Sequence, residues 1–527
     1  MSPVNNKLPS AERIPAASEG DVSGDLSPEL LASPVWTEDQ LTRAGIPIVD
    51  APFVSIGGGM GSFVMVDLLR ISGFPVENIK VLTTLDYPWE NYEYLTGVAQ
   101  LPPDYRIRSD SASTPDNIWG FPSYAVRAAF GARSVEGFIA PIWNVLTENL
   151  FTDYWTPLAG QVFRGLRREA DRIGYWQTIA KGQARMVRRR AGGGYFSILT
   201  VEGGRTRRVA YRSGFVHLAV GYPSVRFLPD LQAYRRQYGD GYRFVNSYEP
   251  HEHVYDDLVK QPGTVLVRGG GITASAILHR LFNDRERHGA RTQILHLLRT
   301  HVDSSHGPSV FMRRRGGDGW AYQGFNWPKS SWGGQLKVRL EKLDDDERLR
   351  MWKTIKGSTT PYRKGWQKQL RQGREEGYYR TLAGQIDHVE PGPDGTMTTF
   401  IRQNGSPDIR RVDVKFIIDA TGLVGDIKEH RVLADLLDNS GAERNGLGRL
   451  QVSRTFEVPG SRNGGGRLYA VGVTTEGSYY APVDSLLGLQ YAALTICDDL
   501  ARLGFCRRIG PIRSVSQWWK WMRGVTP

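Results

Sequence analysis

Two stretches of the chain carry the same succession of hydrophobic and polar positions. In each, a short unbroken apolar run ends in glycines, apolar residues then recur at helical spacing, and a second apolar run closes the unit. The first run is Phe53-Val54-Ser55-Ile56, followed by Gly57-Gly58-Gly59-Met60-Gly61-Ser62 and a helix over 63–71 with Val64, Leu68 and Leu69 on its apolar face. A turn at Gly73-Phe74-Pro75 leads to a strand over 79–82. The second run is Thr264-Val265-Leu266-Val267, followed by Gly269-Gly270-Gly271, a helix over 274–282 and a strand over 292–298. Strands buried on both faces of a parallel sheet read as continuous apolar runs. Each stretch is therefore a predicted β-α-β unit.

Around these units the pattern predicts a helix over 158–173, then strands near 175–180, 184–188, 195–201, 208–211 and 215–220. From about 330 to 376 the chain is highly charged, with helical spacing over 336–341 and 344–352. Strands return at 378–382, 385–389, 397–402 and 414–418, and a strand over 468–473 precedes an amphipathic helix over 485–503. Residues 86–156 hold Trp89, Tyr92, Tyr94, Trp119, Phe121, Trp143 and Trp155 without a clear period, and read as irregular chain packed by aromatic rings. Residues 1–45, rich in Ser, Pro, Ala and Glu, are expected to be disordered.

The fold class that follows is α/β, with two Rossmann-like dinucleotide-binding domains, the second inserted in the first. The expected boundaries are 46–225 for the first part of the outer domain and 226–384 for the inserted domain with its charged helical insertion. Residues 385–505 form the second part of the outer domain, and 506–527 a basic aromatic tail.

Composition narrows the partners. A chain of 527 residues is too long for one hydrophobic core. Its net charge of +12 is spread rather than gathered in a block, which points to phosphate and carboxylate ligands and away from nucleic acid. Two cysteines without a C-x-x-C pair exclude a disulfide scaffold, a zinc cluster and the dithiol reductases built on a similar architecture. No secretory signal or membrane-spanning stretch is evident, so the expected compartment is the cytoplasm and no metal site is expected.

The glycine runs carry the candidate chemistry. Gly57 permits the tight turn out of the strand, and Gly59 lets backbone N–H groups approach a pyrophosphate at the helix N-terminus. Gly58, Met60 and Gly61 complete the loop, and Ser62, small enough for helix–strand contact, takes the third position. The acid that usually holds the ribose is displaced: the second strand ends in Thr83-Thr84-Leu85-Asp86, so either Asp86 or the threonines take that role. In the second loop Gly269, Gly271 and Ala274 fill the key places, with Thr273 and Ser275 beside them. Its second strand ends in Arg299-Thr300-His301, where a guanidinium would grip a 2′-phosphate and so favour NADPH. The alternative is a solvated strand-end charge. Arg268, ahead of the first glycine, has no evident role from sequence. Two strand ends, Leu218-Ala219-Val220-Gly221 and Asp419-Ala420-Thr421-Gly422, run into small-residue turns that let backbone lie against a dinucleotide.

The order G-G-G-M-G-S, L-A-V-G-Y-P, F-V-N-S-Y-E-P-H-E-H-V-Y, R-G-G-G-I-T-A-S and D-A-T-G-L resembles that of the class B flavin monooxygenases. The likeness is greatest to the lysine/ornithine N-hydroxylases and the flavin-containing monooxygenases, and it spans roughly residues 50–500. Trp89…Arg106-Ile107-Arg108-Ser109-Asp110…Ser113-Thr114-Pro115 looks like the flavin-facing loop of the N-hydroxylases. The resemblance implies FAD on the first loop, NADPH on the second, and Thr421-Gly422 returning the chain to FAD. It implies too that Leu468–Gly472 and Ala481–Ser485 close the FAD site, with Gly472 at the ribityl chain, Asp484 as its carboxylate and Ser485 opening a helix aimed at the flavin.

The function so implied is NADPH reduction of FAD, addition of O2 at the flavin C4a position and oxygenation of a small organic substrate. The linker lacks the full F-x-G-x-x-x-H-x-x-x-[YF]-P fingerprint, so the resemblance names no substrate. A flavin reductase, a dehydrogenase or a halogenase (with Lys329 as its lysine) fits the same frame, as does a non-catalytic FAD-binding redox sensor or scaffold. His251 and His253 are candidates for a proton relay or for ordinary surface histidines. The tail Trp518-Trp519-Lys520-Trp521-Met522-Arg523 is a candidate for peripheral membrane contact or for capping its own domain.

Overall fold

The computed structural model describes residues 26–107, 114–147, 155–201, 208–304, 316–322, 334–355, 360 and 362–527. Two sheets organise them, and the two are built to one plan. In the first, Ile179–Arg190, Ile79–Thr83, Phe53–Ile56, Phe215–Leu218 and Arg467–Ala470 lie side by side and parallel. Ile179–Arg190 then runs on into an antiparallel meander with Tyr195–Val201 and Arg208–Ser213. In the second, Tyr379–Pro391, Gln293–Leu298, Thr264–Arg268, Phe416–Asp419 and Phe244–Asn246 are parallel in that order. Tyr379–Pro391 continues into its own meander with Met397–Gln403 and Ile409–Val414.

The glycine-loop strands are central in both sheets, which is why Phe53–Ile56 is buried throughout and reads as an unbroken apolar run. The helix Met60–Ile71 buries nearly all its residues between the first sheet and the helix Leu486–Arg502. Each long third strand appears in the sequence as two strands, because a glycine breaks its pattern. Gly182 and Gly384 sit where a Cβ would overlap the carbonyl oxygens of Thr200 and Arg402 on the neighbouring strand.

The chain crosses between the sheets at Ser224–Val225 and Leu423–Val424, and these two crossings pair antiparallel with one another. The inserted domain therefore ends near 422, not at the expected 384. The strands over 385–419 belong to it because Tyr379–Pro391 pairs with Gln293–Leu298 and Phe416–Asp419 pairs with Thr264–Arg268.

Two further expectations are corrected. Residues 26–45 are ordered: Pro28–Ala32 and Glu38–Arg43 are helices capped by Ser27 and Thr37, and Val35–Trp36 pairs with the first sheet. Their anchors are Leu30, Trp36 and Leu41, buried against Phe196 and Ile198, a cluster that a Ser- and Pro-rich average conceals. Residues 1–25 lie outside the described residues. Over its described residues the aromatic segment 86–156 is not irregular, since Glu90–Val98, Ser123–Phe130 and Val135–Thr147 are helices. No helix among the described residues is long and apolar enough to cross a membrane.

Candidate dinucleotide-binding sites

At the C-terminal edge of the first sheet Gly57 turns with φ +92°, and its N–H donates to the Leu82 carbonyl at 3.0 Å. A Cβ on Gly57 would lie 2.5 Å from the Ala219 carbonyl oxygen, and one on Gly58 would overlap Thr83. Among the described residues a Cβ on Gly59 would meet nothing within 4 Å, so bare backbone faces open space there. The helix Met60–Ile71 starts at Gly59 with no side-chain cap and no acid in its first turn. Its leading N–H groups and the positive end of its dipole are left for an anion. A Cβ on Gly61 would come within 3.5 Å of Ala219, Val471 and Leu489, and one on Gly472, which turns with φ +75°, would lie 3.7 Å from Leu489. The glycine loop, the L-A-V-G turn and the closing segment thus meet at one place, as the sequence order implied.

Ser62 does more than fill the third glycine position. Its hydroxyl donates to the Gly57 carbonyl and lies 2.7 Å from Ser55 Oγ, which lies 2.8 Å from His217 Nδ1. His217 is fully buried, which pushes its pKa down to about 3. The tautomer that leaves no buried donor unpaired has Nδ1–H donating to Ser55, because Nε2 meets no partner among the described residues. Sequence reasoning missed this residue.

The second site repeats the first. Gly269 has φ +129°, donates to Leu297 O at 3.1 Å, and a Cβ there would overlap the Ala420 carbonyl. The helix Ile272–His288 starts at Gly271, again without a side-chain cap or a first-turn acid. Thr273, Ala274 and Ser275 are buried in that turn; Thr273 Oγ1 is 3.0 Å from Tyr248 OH, and Ser275 Oγ donates to Ile272 O at 2.8 Å. A buried histidine stands behind this loop as well. His296 Nε2 donates to Gly269 O at 2.6 Å, Nδ1 accepts from Tyr379 OH at 2.8 Å, and burial pushes its pKa down to about 4.

These histidines are neutral in the fold and titrate near 6.5 when unfolded. Their stability is full above pH 6.5 and is lost as pH falls toward 4, because the unfolded chain binds the extra protons. Asp116, whose carboxyl burial pushes up to about 6, acts in the opposite sense over an overlapping range. The thermal midpoint is expected to fall between pH 6.5 and 4, and to fall less steeply in His296→Gln. Parallel curves for variant and wild type would refute the assignment.

Arg268 is explained by its neighbours. Its guanidinium is 6% exposed, reaches both oxygens of Asp419 at 3.1 Å and pairs with Asp230. Asp419 Oδ1 in turn accepts from Thr421 N at 3.1 Å, tying the D-A-T-G turn to the glycine loop. Arg299 is exposed at its strand end, and no carboxylate pairs with it among the described residues. Its backbone oxygen accepts from Asn404.

Asp86 is exposed and forms an ion pair with Lys181 at 2.5 Å. Trp89 is buried in the core against Tyr87 and Trp176. Asp484 is exposed and accepts from Tyr222 OH at 2.9 Å, while Ser485 caps Leu486–Arg502 by accepting from Gly488 N. Glu476, near Asp484, has its pKa raised by burial and then by that carboxylate. His251 is held by Glu249 O and Tyr255 OH, and His253 by Tyr242 O. The tail is a helix, Pro511–Met522, that packs on its own domain through Trp521, whose Nε1 donates to Asp116 O at 3.1 Å. Residues 108–113 of the flavin-facing loop and Lys329 lie outside the described residues.

No family model matches the chain, and no curated protein matches it in sequence. Solved structures do match its fold. The ornithine hydroxylase of Pseudomonas aeruginosa superposes with a TM-score of 0.57 at 14% identity, over 86% of this chain and 100% of that one. The FAD-bound cadaverine monooxygenase of desferrioxamine biosynthesis from Erwinia amylovora gives 0.62 at 13%, over 88% and 96%. The ornithine N-hydroxylase of Kutzneria sp. 744, with reduced FAD, NADP+ and L-ornithine, gives 0.58 at 13%, over 86% and 99%. At such identities the likeness is one of fold. It bears out, at that level, the α/β reading with two dinucleotide-binding domains and the resemblance drawn from motif order.

Proposed function

We propose that this chain is an FAD-dependent, NADPH-using monooxygenase acting on a small organic substrate. The observation that carries the reading is the pair of open, uncapped glycine-loop helices, one at the edge of each parallel sheet. The first fits FAD: Gly57 to Ser62 would take the pyrophosphate, and the turn at Gly472 with the helix behind Ser485 would flank the flavin. The second fits NADPH, with Gly269 to Ser275 at its pyrophosphate and Arg299 at its 2′-phosphate. Bound there, the cofactors supply hydride transfer and oxygen activation. The chain's own residues bind, orient and shield. Tyr248 and Thr273 join the linker to the second loop, and Tyr222 holds Asp484 at the closing segment of the first domain.

The fold neighbours named above act on ornithine or cadaverine, which makes an amine the substrate class to try first. Asp484, exposed beside Tyr222, offers carboxylate charge to a substrate ammonium group.

The test is a visible spectrum of the purified protein, then NADPH oxidation and oxygen uptake with and without a panel of primary amines. A colourless protein that FAD does not reconstitute rejects the reading. A yellow protein that NADPH does not reduce favours the sensor or scaffold. Arg299→Ala is expected to raise KM for NADPH roughly 10- to 100-fold, the loss of a charge-assisted hydrogen bond. KM for NADH should barely change, and equal losses for both coenzymes would remove the 2′-phosphate assignment.

A further inference from the structure

The only two cysteines in 527 residues meet in the fold. Cys497 lies in the last turns of the helix Leu486–Arg502; past Leu503 the chain reverses at Gly504, which has φ +77°. Phe505 then inserts between Phe74 and Phe215, with ring centroids 4.3 and 4.4 Å away, and this returns the next residue over the helix. Cys506 Sγ comes to rest 3.6 Å from the Cys497 carbonyl oxygen and donates its thiol hydrogen to it. The approach is held from the far side too. Arg507 N donates to Ser72 O at 3.1 Å and Arg513 Nε to Ile71 O at 2.7 Å, both at the C-terminal end of Met60–Ile71. That helix separates the cysteines from the first glycine loop by about 18 Å, at 1.5 Å per residue.

We propose that Cys506 and Cys497 form a dithiol site that a hydroperoxide oxidises to an intramolecular disulfide, Cys506 attacking and Cys497 resolving. The roles follow from exposure. Cys506 is partly accessible, whereas Cys497 is 3% exposed and cannot meet an oxidant first. Charge and hydrogen bonding agree with this order. The Cys497 thiol lowers the Cys506 pKa, with smaller help from Arg513 and opposition from burial and Asp498, while burial raises Cys497. A lowered thiol pKa beside a second thiol is the arrangement that favours reversible oxidation.

The Cys506 thiolate attacks one peroxide oxygen, the O–O bond breaks, and with one proton taken up the other oxygen leaves as water or an alcohol. The Cys497 sulfur then displaces hydroxide from the sulfenic acid, and its thiol proton completes a molecule of water. Two thiols lose two electrons and the peroxide gains them. The bridge joins the helix Leu486–Arg502 to the segment that carries Pro511–Met522. This site does not depend on the flavin reading.

The full-length protein, reduced and freed of reductant, is treated with hydrogen peroxide, its thiols are counted, and its peptides are mapped without reduction. The expected result is a fall from two thiols to none, a 497–506 bridged peptide within one chain, and full recovery with dithiothreitol. Cys497→Ser should leave Cys506 as a sulfenic acid that dimedone traps, and Cys506→Ser should keep its remaining thiol at the same dose. Retention of both thiols overturns the proposal, as does oxidation of Cys506 to the sulfinic acid with Cys497 untouched, or a bridge between chains. If a serine variant does not fold, the wild-type peptide map decides alone.

Discussion

Gly57→Val is expected to yield a colourless protein that added FAD does not reconstitute. The backbone at this position has φ +92°, which a β-branched residue adopts only with strain. The added Cβ would press on the Ala219 carbonyl at 2.5 Å, and Ala219 is fixed because its own N–H donates to Ile56 O at 2.9 Å. Strain of about 1–3 kcal/mol and the displaced turn would shift the N–H groups that face the pyrophosphate. Affinity should fall by roughly a hundredfold or more, since every 1.4 kcal/mol is tenfold. Gly59→Ala is the informative control. No described residue lies within 4 Å of the new methyl group, so the fold should stand, yet that methyl group would occupy the space a pyrophosphate needs. The expected outcome is a Gly59 variant with wild-type thermal stability and weakened FAD binding, measured by fluorescence titration. If Gly59→Ala binds FAD as wild type does, the pyrophosphate does not lie over this loop.

These paired effects rest on features that the sequence displayed well, because they are local. A buried strand, a glycine run and an amphipathic helix occupy consecutive residues, so both β-α-β units could be placed before any contact was known. The residues behind the loops were not visible in this way. His217 and His296 each stand alone in an apolar run, and nothing in the run shows that one reaches Gly57 through two serines and the other reaches Gly269 directly. Distance along the chain hid other features. The boundary near 422 depends on pairing between Phe416–Asp419 and Thr264–Arg268, which are far apart in sequence. The ordered residues 26–45 depend on Val35 and Trp36 finding Arg189 and Arg190, and composition averaged over the segment cannot register so short an anchor.

Arg268 is the extreme case, and its removal is expected to cost the inserted domain much of its stability. Arg268 and Asp419 are directly opposite across neighbouring parallel strands, and Asp419 is fully buried. The guanidinium also pairs with Asp230 and lies over the Phe244 ring, 5.6 Å from its centroid. Arg268→Met keeps most of the volume but leaves two carboxylates facing one another without a cation. Breaking a buried pair from one side costs about 3–5 kcal/mol, because an uncompensated charge remains. For a domain of this size that is a fall in melting temperature of roughly 10 °C. The double variant Arg268→Met/Asp419→Asn separates this mechanism from simple loss of packing. The asparagine can still accept from Thr421 N through its carbonyl oxygen while removing the stranded charge, so stability should recover in part. A double variant no more stable than Arg268→Met would show that packing against Phe244, rather than charge, accounts for the loss. Because Gly269 follows Arg268 directly, the single variant should also weaken NADPH binding more than FAD binding. Equal weakening of both would mean that the clamp acts on the whole fold and not on the second loop.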